Sequence, residues 1–283
     1  MSAQNRLRTS RDRTAYLAHL RRVRSRCAAG VVISAGFLLF AAQLRKADPD
    51  ASAMRPEVFR EPRQTPVTPR QFSVDSDGKS YLVTTFFDYD QSAMVVSTNN
   101  KLTLKPVLQL FRWRDMLNVS DLCVIWGDNV ASEVYKDMNF YQGAYTCFPR
   151  YKEGRASVAA RKYRGNQLAH NHILTNDPKL RRRLGSVRTG DQIRIRGKLV
   201  GYAHRGQVLR ISSFTRDDNV CETIWLEELE ILKRHQPVLR AVMVVVVVAS
   251  AGLIGGIMAM TWRIMRLRQE ETGKKWASWG REK

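Results

Sequence analysis

His170-Asn171-His172 sets two imidazoles two residues apart. On a strand, residues i and i+2 point to one face, so both rings would face the same side. Such a pair suits a transition metal such as zinc or copper, with Cys221, Glu222, Asp217 or Asp218 as a third ligand. No CxxC or HExxH spacing accompanies it. The competing expectation is a capping or surface-facing histidine pair ahead of a helix. A second cluster, Arg216-Asp217-Asp218 with Cys221-Glu222, has the charges to hold a small ligand. A tight turn explains it more simply, because Asp side chains bond their own backbone there.

Three of the four cysteines, Cys123, Cys147 and Cys221, fall in one stretch of the chain. An oxidising compartment permits one disulfide among them. Cys123 and Cys147 lie on consecutive strand-like segments and are the pair expected to bond if any does; buried, inert thiols are the alternative. Basic residues cluster at Arg181-Arg182-Arg183 and at Arg194, Arg196 and Lys198. They could bind a nucleic-acid strand or anionic lipid headgroups, or form a solvated face. No nucleophile elbow, phosphate loop, dinucleotide fingerprint or metalloprotease helix is present. The chain is therefore not expected to be an enzyme, and no cofactor is expected.

The elements that must position these residues are mostly strands. QFSVD, the turn SDGK and SYLVTTF read as a hairpin, because Asp77-Gly78 tolerates positive φ. AMVVST (93–98), DLCVIWG (121–127), NFYQGAYTCF (139–148), DQIRIRGKLVGY (191–202), QVLRISSF (207–214) and IWLEELEIL (224–232) read as further strands. VLQLFRW (107–113) fits a strand or an amphipathic helix. One short helix is expected over Pro178–Leu184, capped by Asn176 or Asp177, with Pro178 in its first turn and Gly185 at its end. Gly197 should let its strand bend, as at a barrel corner. The expected domain over 71–232 is mainly β, a small barrel of OB-like type, with a β-sandwich as alternative.

Two uncharged runs flank this domain, 27–44 and 241–262. About 20 apolar residues cross a bilayer as a helix, so both read as transmembrane. For the first, an uncleaved signal anchor is preferred over a cleaved signal peptide or a mitochondrial presequence. Residues 45–70 hold five prolines and few bulky apolar groups, which predicts a stiff, extended stalk. In the second run Gly252 and Gly256 are four apart, a spacing that lets helices approach closely. The partner would be the first run, through Gly30 and Ser34, another copy, or another membrane protein.

The net charge of +21 divides along the same lines. Residues 1–29 carry +7, residues 263–283 carry +4, and the rest of the chain carries +10. About half the excess thus lies in the basic tails, 1–26 and 263–283, next to the apolar runs. Five basic residues lie in 12–26 against three in 45–59, and five in 263–277 against three in 226–240. Basic flanks mark the cytoplasmic or matrix side, so both termini are expected inside an inner membrane and the β-domain outside. The lipid bilayer and other membrane subunits, or a second copy, are the expected partners; nucleic acid is not.

DLCVIWGDNVAS (121–132), GAYTCF (143–148), NHILTNDP (171–178), VRTGDQIRIRGKLVGY (187–202) and SSFTRDDNVCETIWLEELEIL (212–232) resemble segments of a group of uncharacterised bacterial proteins. That group shares a membrane anchor and an extracytoplasmic β-domain, and the resemblance covers most of 71–232. It implies the same layout here and carries no activity. Where the group has a Gly-rich insertion before the last Cys, this chain has only Asn219-Val220. The two-span layout is also similar, in topology alone, to the SURF1 family of oxidase assembly factors. The function expected is a non-catalytic structural or accessory subunit of a membrane complex. The alternatives are a SURF1-like assembly factor handling a cofactor or metal, and a ligand-binding or sensor module.

Overall fold

The structure is a computed structural model, and it describes residues 10–100, 117–143, 146–215 and 221–279. In chain order the helices are α1 (Ser10–Leu44), α2 (Asp128–Ala131), α3 (Ala156–Lys162), α4 (Pro178–Gly185) and α5 (Pro237–Trp279). The strands are β1 (Arg63–Pro66), β2 (Gln71–Ser76), β3 (Lys79–Asn100), β4 (Asn118–Ile125), β5 (Met138–Gln142), β6 (Cys147–Tyr151), β7 (Leu168–Leu174), β8 (Gln192–His204), β9 (Gln207–Ile211) and β10 (Glu222–Lys233). The expected segment 107–113 and the residues 216–220 lie outside the described residues. The chain divides into two units, 1–47 with 236–283, and 48–235.

In the first unit α1 and α5 pack together. Both are long and apolar enough to cross a membrane, with mean hydropathy of 2.0 and 2.5 in their most apolar windows. They run past the expected spans of 27–44 and 241–262 because helix propensity continues into the basic flanks. Val244, Val245 and Val248 stay exposed, as lipid-facing side chains would. The helices meet where Leu20, Ile264 and Leu267 pack with Tyr16, Leu17 and Met260. At Gly30 a Cβ would lie 3.0 Å from Leu253 Cδ1, so a larger residue there would make the leucine side chain give by a few tenths of an ångström. Gly252 has no neighbour within 4 Å, and Gly256 meets only Met260 of its own helix. The expected glycine face is therefore not where these two helices touch.

The second unit is built on long strands that bend. β2 and β3 form the expected hairpin, with Asp77 (φ 49°) and Gly78 (φ 75°) both in the left-handed region that such a two-residue turn requires. β3 pairs with β8 along most of its length and then with β4, and bulges at Thr85/Phe87 and Val95/Ser97 let it turn. Pairings continue from β4 to β7, from β7 to β10 and from β10 to β8, which returns to β3. The mixed sheet thus forms a partial ring. Only β7–β10 is parallel in this circuit. Val119, Leu122, Val124, Ile173, Ile193, Ile195, Leu199 and Ile224 belong to its main core.

Gly197 behaves as its place in the strand predicts. A Cβ there would sit 2.0 Å from the Trp225 carbonyl oxygen, beside a bulge at Leu226/Glu228. α4 begins after Asp177, whose side chain accepts from Lys179 N at 2.6 Å.

Three expectations change. The one short helix expected, found as α4, is joined by two more, α2 and α3. The segment 139–148, read as one strand, is divided between β5 and β6, which pair antiparallel as a separate hairpin. The break falls at Gly143, whose N–H donates to Thr146 O at 2.7 Å. The stretch 45–70 is also not a free stalk. From Asp48 it folds with the β-unit: β1 pairs with β3, and Val58 is fully buried against Met94, Ile125, Val130 and Tyr135. Glu61 adds an acceptor for the Trp126 indole N–H at 2.8 Å. Helix here is limited to short 3-10 turns at Ala51–Ala53 and Pro56–Phe59, and proline does not prevent edge pairing, which needs few backbone donors.

Candidate metal centre

The strand register assembles the site. β4 runs antiparallel to β7 with Asp121 opposite His172 and Cys123 opposite His170. β10 runs parallel to β7 with Thr223 opposite His172 and Glu222 opposite Asn171. Paired residues share a face, so His170, His172, Asp121, Cys123 and Thr223 lie on one side of the sheet. Asn171 and Glu222 lie on the other. Cys221 immediately precedes β10 and is fixed by its carbonyl, which accepts from Ser213 N at 3.0 Å.

The β5–β6 hairpin meets this face. Cys147 is disulfide-bonded to Cys123, the pair the sequence favoured if any bond formed, with Cα atoms 5.9 Å apart, so these two are not the inert thiols of the alternative. The same hairpin brings Gln142, whose Oε1 lies 2.8 Å from His170 Nε2. An amide oxygen only accepts, so His170 carries its proton on Nε2 and turns the Nδ1 lone pair to Cys221 Sγ, 3.2 Å away. His172 is oriented from the other side. Its Nδ1 lies 2.7 Å from Asp121 Oδ1, and that carboxylate also accepts from Asn118 Nδ2 at 2.9 Å. With Nδ1 directed at Asp121, Nε2 is the nitrogen that would ligate. A carboxylate behind a ligating histidine fixes its tautomer and raises its basicity.

His170, His172 and Cys221 are all buried, and their donor atoms lie within 4.8 Å of one another. The two rings meet edge to face with centroids 4.7 Å apart. Metal–nitrogen and metal–sulfur bonds of about 2.0 and 2.3 Å put ligand atoms roughly 3.5 Å apart, so small rotamer shifts would close the set on an ion. Burial pushes the Cys221 thiol up to about 11; Glu222 and Asp121 add to the rise, while Arg210 and the Thr146 hydroxyl oppose it. At neutral pH such a thiol is protonated, which does not suit a free nucleophile. A metal ion would displace that proton.

The histidine pair is therefore neither capping nor surface-facing. Of the third ligands expected, Cys221 is brought to the pair, whereas Glu222 belongs to the opposite face. Arg216, Asp217 and Asp218 lie outside the described residues. Four members of the basic clusters are engaged with acids: Arg194 with Asp90, Arg196 with Glu228, Lys198 with Asp88 and Arg181 with Asp77. Sequence reasoning missed Asp121, Asn118 and Gln142. Asp121 did leave a trace, as a lone carboxylate at the head of the apolar run LCVIW. No family model, curated protein or solved structure matches the chain.

Proposed function

We propose that this protein is a membrane-tethered, non-catalytic accessory or assembly factor that holds a transition-metal ion at His170, His172 and Cys221. The observation that carries this reading is the buried convergence of two imidazoles and a thiol, with Asp121 and Gln142 orienting the rings. Two helices able to cross a membrane support the tether. The Cys123–Cys147 disulfide supports an oxidising compartment for the β-domain, with the basic termini on the opposite side. The partial ring, with the short helix α4 between β7 and β8, is read as a small barrel of OB-like type.

The test is metal analysis of full-length protein purified in mild detergent. Wild type is expected to hold close to one transition-metal ion per chain after loading, and His172→Ala is expected to hold none. Wild type that stays metal-free at saturating zinc and copper contradicts the proposal.

A plainer subunit role without metal has one observation in its favour. The face of α5 bearing Gly252 and Gly255 is open: a Cβ added at either would meet nothing within 4 Å beyond the helix's own backbone. That face suits a further helix of another membrane protein.

A further inference from the structure

We infer that the ion held at His170, His172 and Cys221 is copper, bound by two imidazoles and one thiolate with a weak fourth donor. The inference rests on the metal-binding reading and names its cofactor. Structural zinc sites are closed by four strong ligands, and catalytic zinc sites keep a solvent-accessible position. This site fits neither pattern. Among the described residues the group holds three donors, and His170, His172 and Cys221 are 4%, 0% and 8% exposed.

Among the described residues, the nearby carboxylates are not placed to complete a zinc set. Asp121 is engaged with His172 Nδ1 and is not in the group of converging donors, and Glu222 lies on the other side of the sheet. What the described residues add on the shared face is weak and neutral. Thr223 is opposite His172, is fully buried, and its Oγ1 has no hydrogen-bond partner among the described residues. The Gln142 amide bonds His170 from the hairpin. Two histidines and a cysteine in a trigonal set, with a distant weak axial donor, make a donor set that favours copper. Copper also stands at the top of the divalent affinity series for nitrogen and sulfur ligands. The β5–β6 hairpin is fastened to this face by the Cys123–Cys147 disulfide and by Gln142 on His170.

The test uses full-length protein in detergent, stripped of metal and titrated with Cu(II), with Zn(II), and with both at equal concentration. Copper is expected to bind one per chain, to displace zinc by at least tenfold preference, and to give a strong thiolate-to-copper absorption in the visible. Cys221→Ser should abolish that absorption while far-UV circular dichroism and Tm stay at wild-type values. If Cys221→Ser misfolds, His170→Gln in folded form should shift the absorption maximum instead. Zinc held against equimolar copper, or copper bound with no thiolate absorption, overturns the copper assignment and leaves the metal reading standing. Binding of neither ion overturns both.

Discussion

Asp121 and His172 form a buried pair on adjacent strands. Oδ1 of the carboxylate lies 2.7 Å from Nδ1 of the imidazole, and the side chains are 2% and 1% exposed. Such a pair would be costly in an apolar layer unless hydrogen-bonded, and here Asn118 supplies a further donor to the same oxygen. The arrangement orients a ring, and the nitrogen it orients is the one that would meet a metal ion.

Asp121→Asn should therefore keep the fold and weaken metal binding. Removing such an outer carboxylate typically costs 10–100-fold in affinity. Competition against a chelator of known affinity measures this directly. His172→Ala should lose binding altogether, and equal affinity in Asp121→Asn and wild type would separate the carboxylate from the site.

The disulfide closes a loop whose ends are 24 residues apart. Chain-entropy arguments give such a crosslink about 3 kcal/mol of stability. The double variant Cys123→Ala/Cys147→Ala should lose roughly that amount in denaturant unfolding, and reductant should no longer change its stability.

Asp90 offers a pH-dependent contribution. The hydrogen bond from Arg194 holds its carboxyl below the usual carboxylate range; the charge of Arg194 and the Arg63 guanidinium add to this, and partial burial opposes it. A carboxyl with a depressed folded pKa stabilises the fold above its unfolded pKa and loses that contribution as pH falls through the folded value. The stability difference between wild type and Asp90→Asn should be about 1 kcal/mol at pH 7 and shrink as the pH drops below about 4. Unfolding midpoints at pH 7, 5 and 3 read this out.

Gly197→Ala should be among the most damaging small substitutions. The added methyl carbon would sit 2.0 Å from a backbone oxygen, which cannot move without breaking the β8–β10 pairing. A loss of about 2 kcal/mol or more is expected in thermal or denaturant unfolding. Gly206→Ala, at a turn with open space around it, should cost less despite its φ of 76°.

Much of the local structure was legible because it depends on neighbours in sequence. Asp77-Gly78 specifies its turn, Asp177-Pro178 starts its helix, and Gly197 marks the bend in β8. His170 and His172 were legible as a pair because alternation along one strand needs no tertiary information. Cys221 was one of four third ligands that spacing alone left open; choosing it required the parallel β7–β10 pairing, which no local pattern encodes. Gln142 was invisible for a similar reason, since it acts from a hairpin whose break at Gly143 is hidden in a run of aromatic and small residues. The stretch 45–70 misled because its prolines dominate the composition, while Val58 and Glu61 fasten it to the sheet.

The central claim is that His170, His172 and Cys221 together hold one metal ion. X-ray absorption spectroscopy at the edge of the bound metal tests it most directly. The account predicts two nitrogen scatterers at about 2.0 Å and one sulfur at about 2.3 Å, with the sulfur lost in Cys221→Ser. A first shell of oxygen and nitrogen alone, unchanged by that substitution, would contradict it.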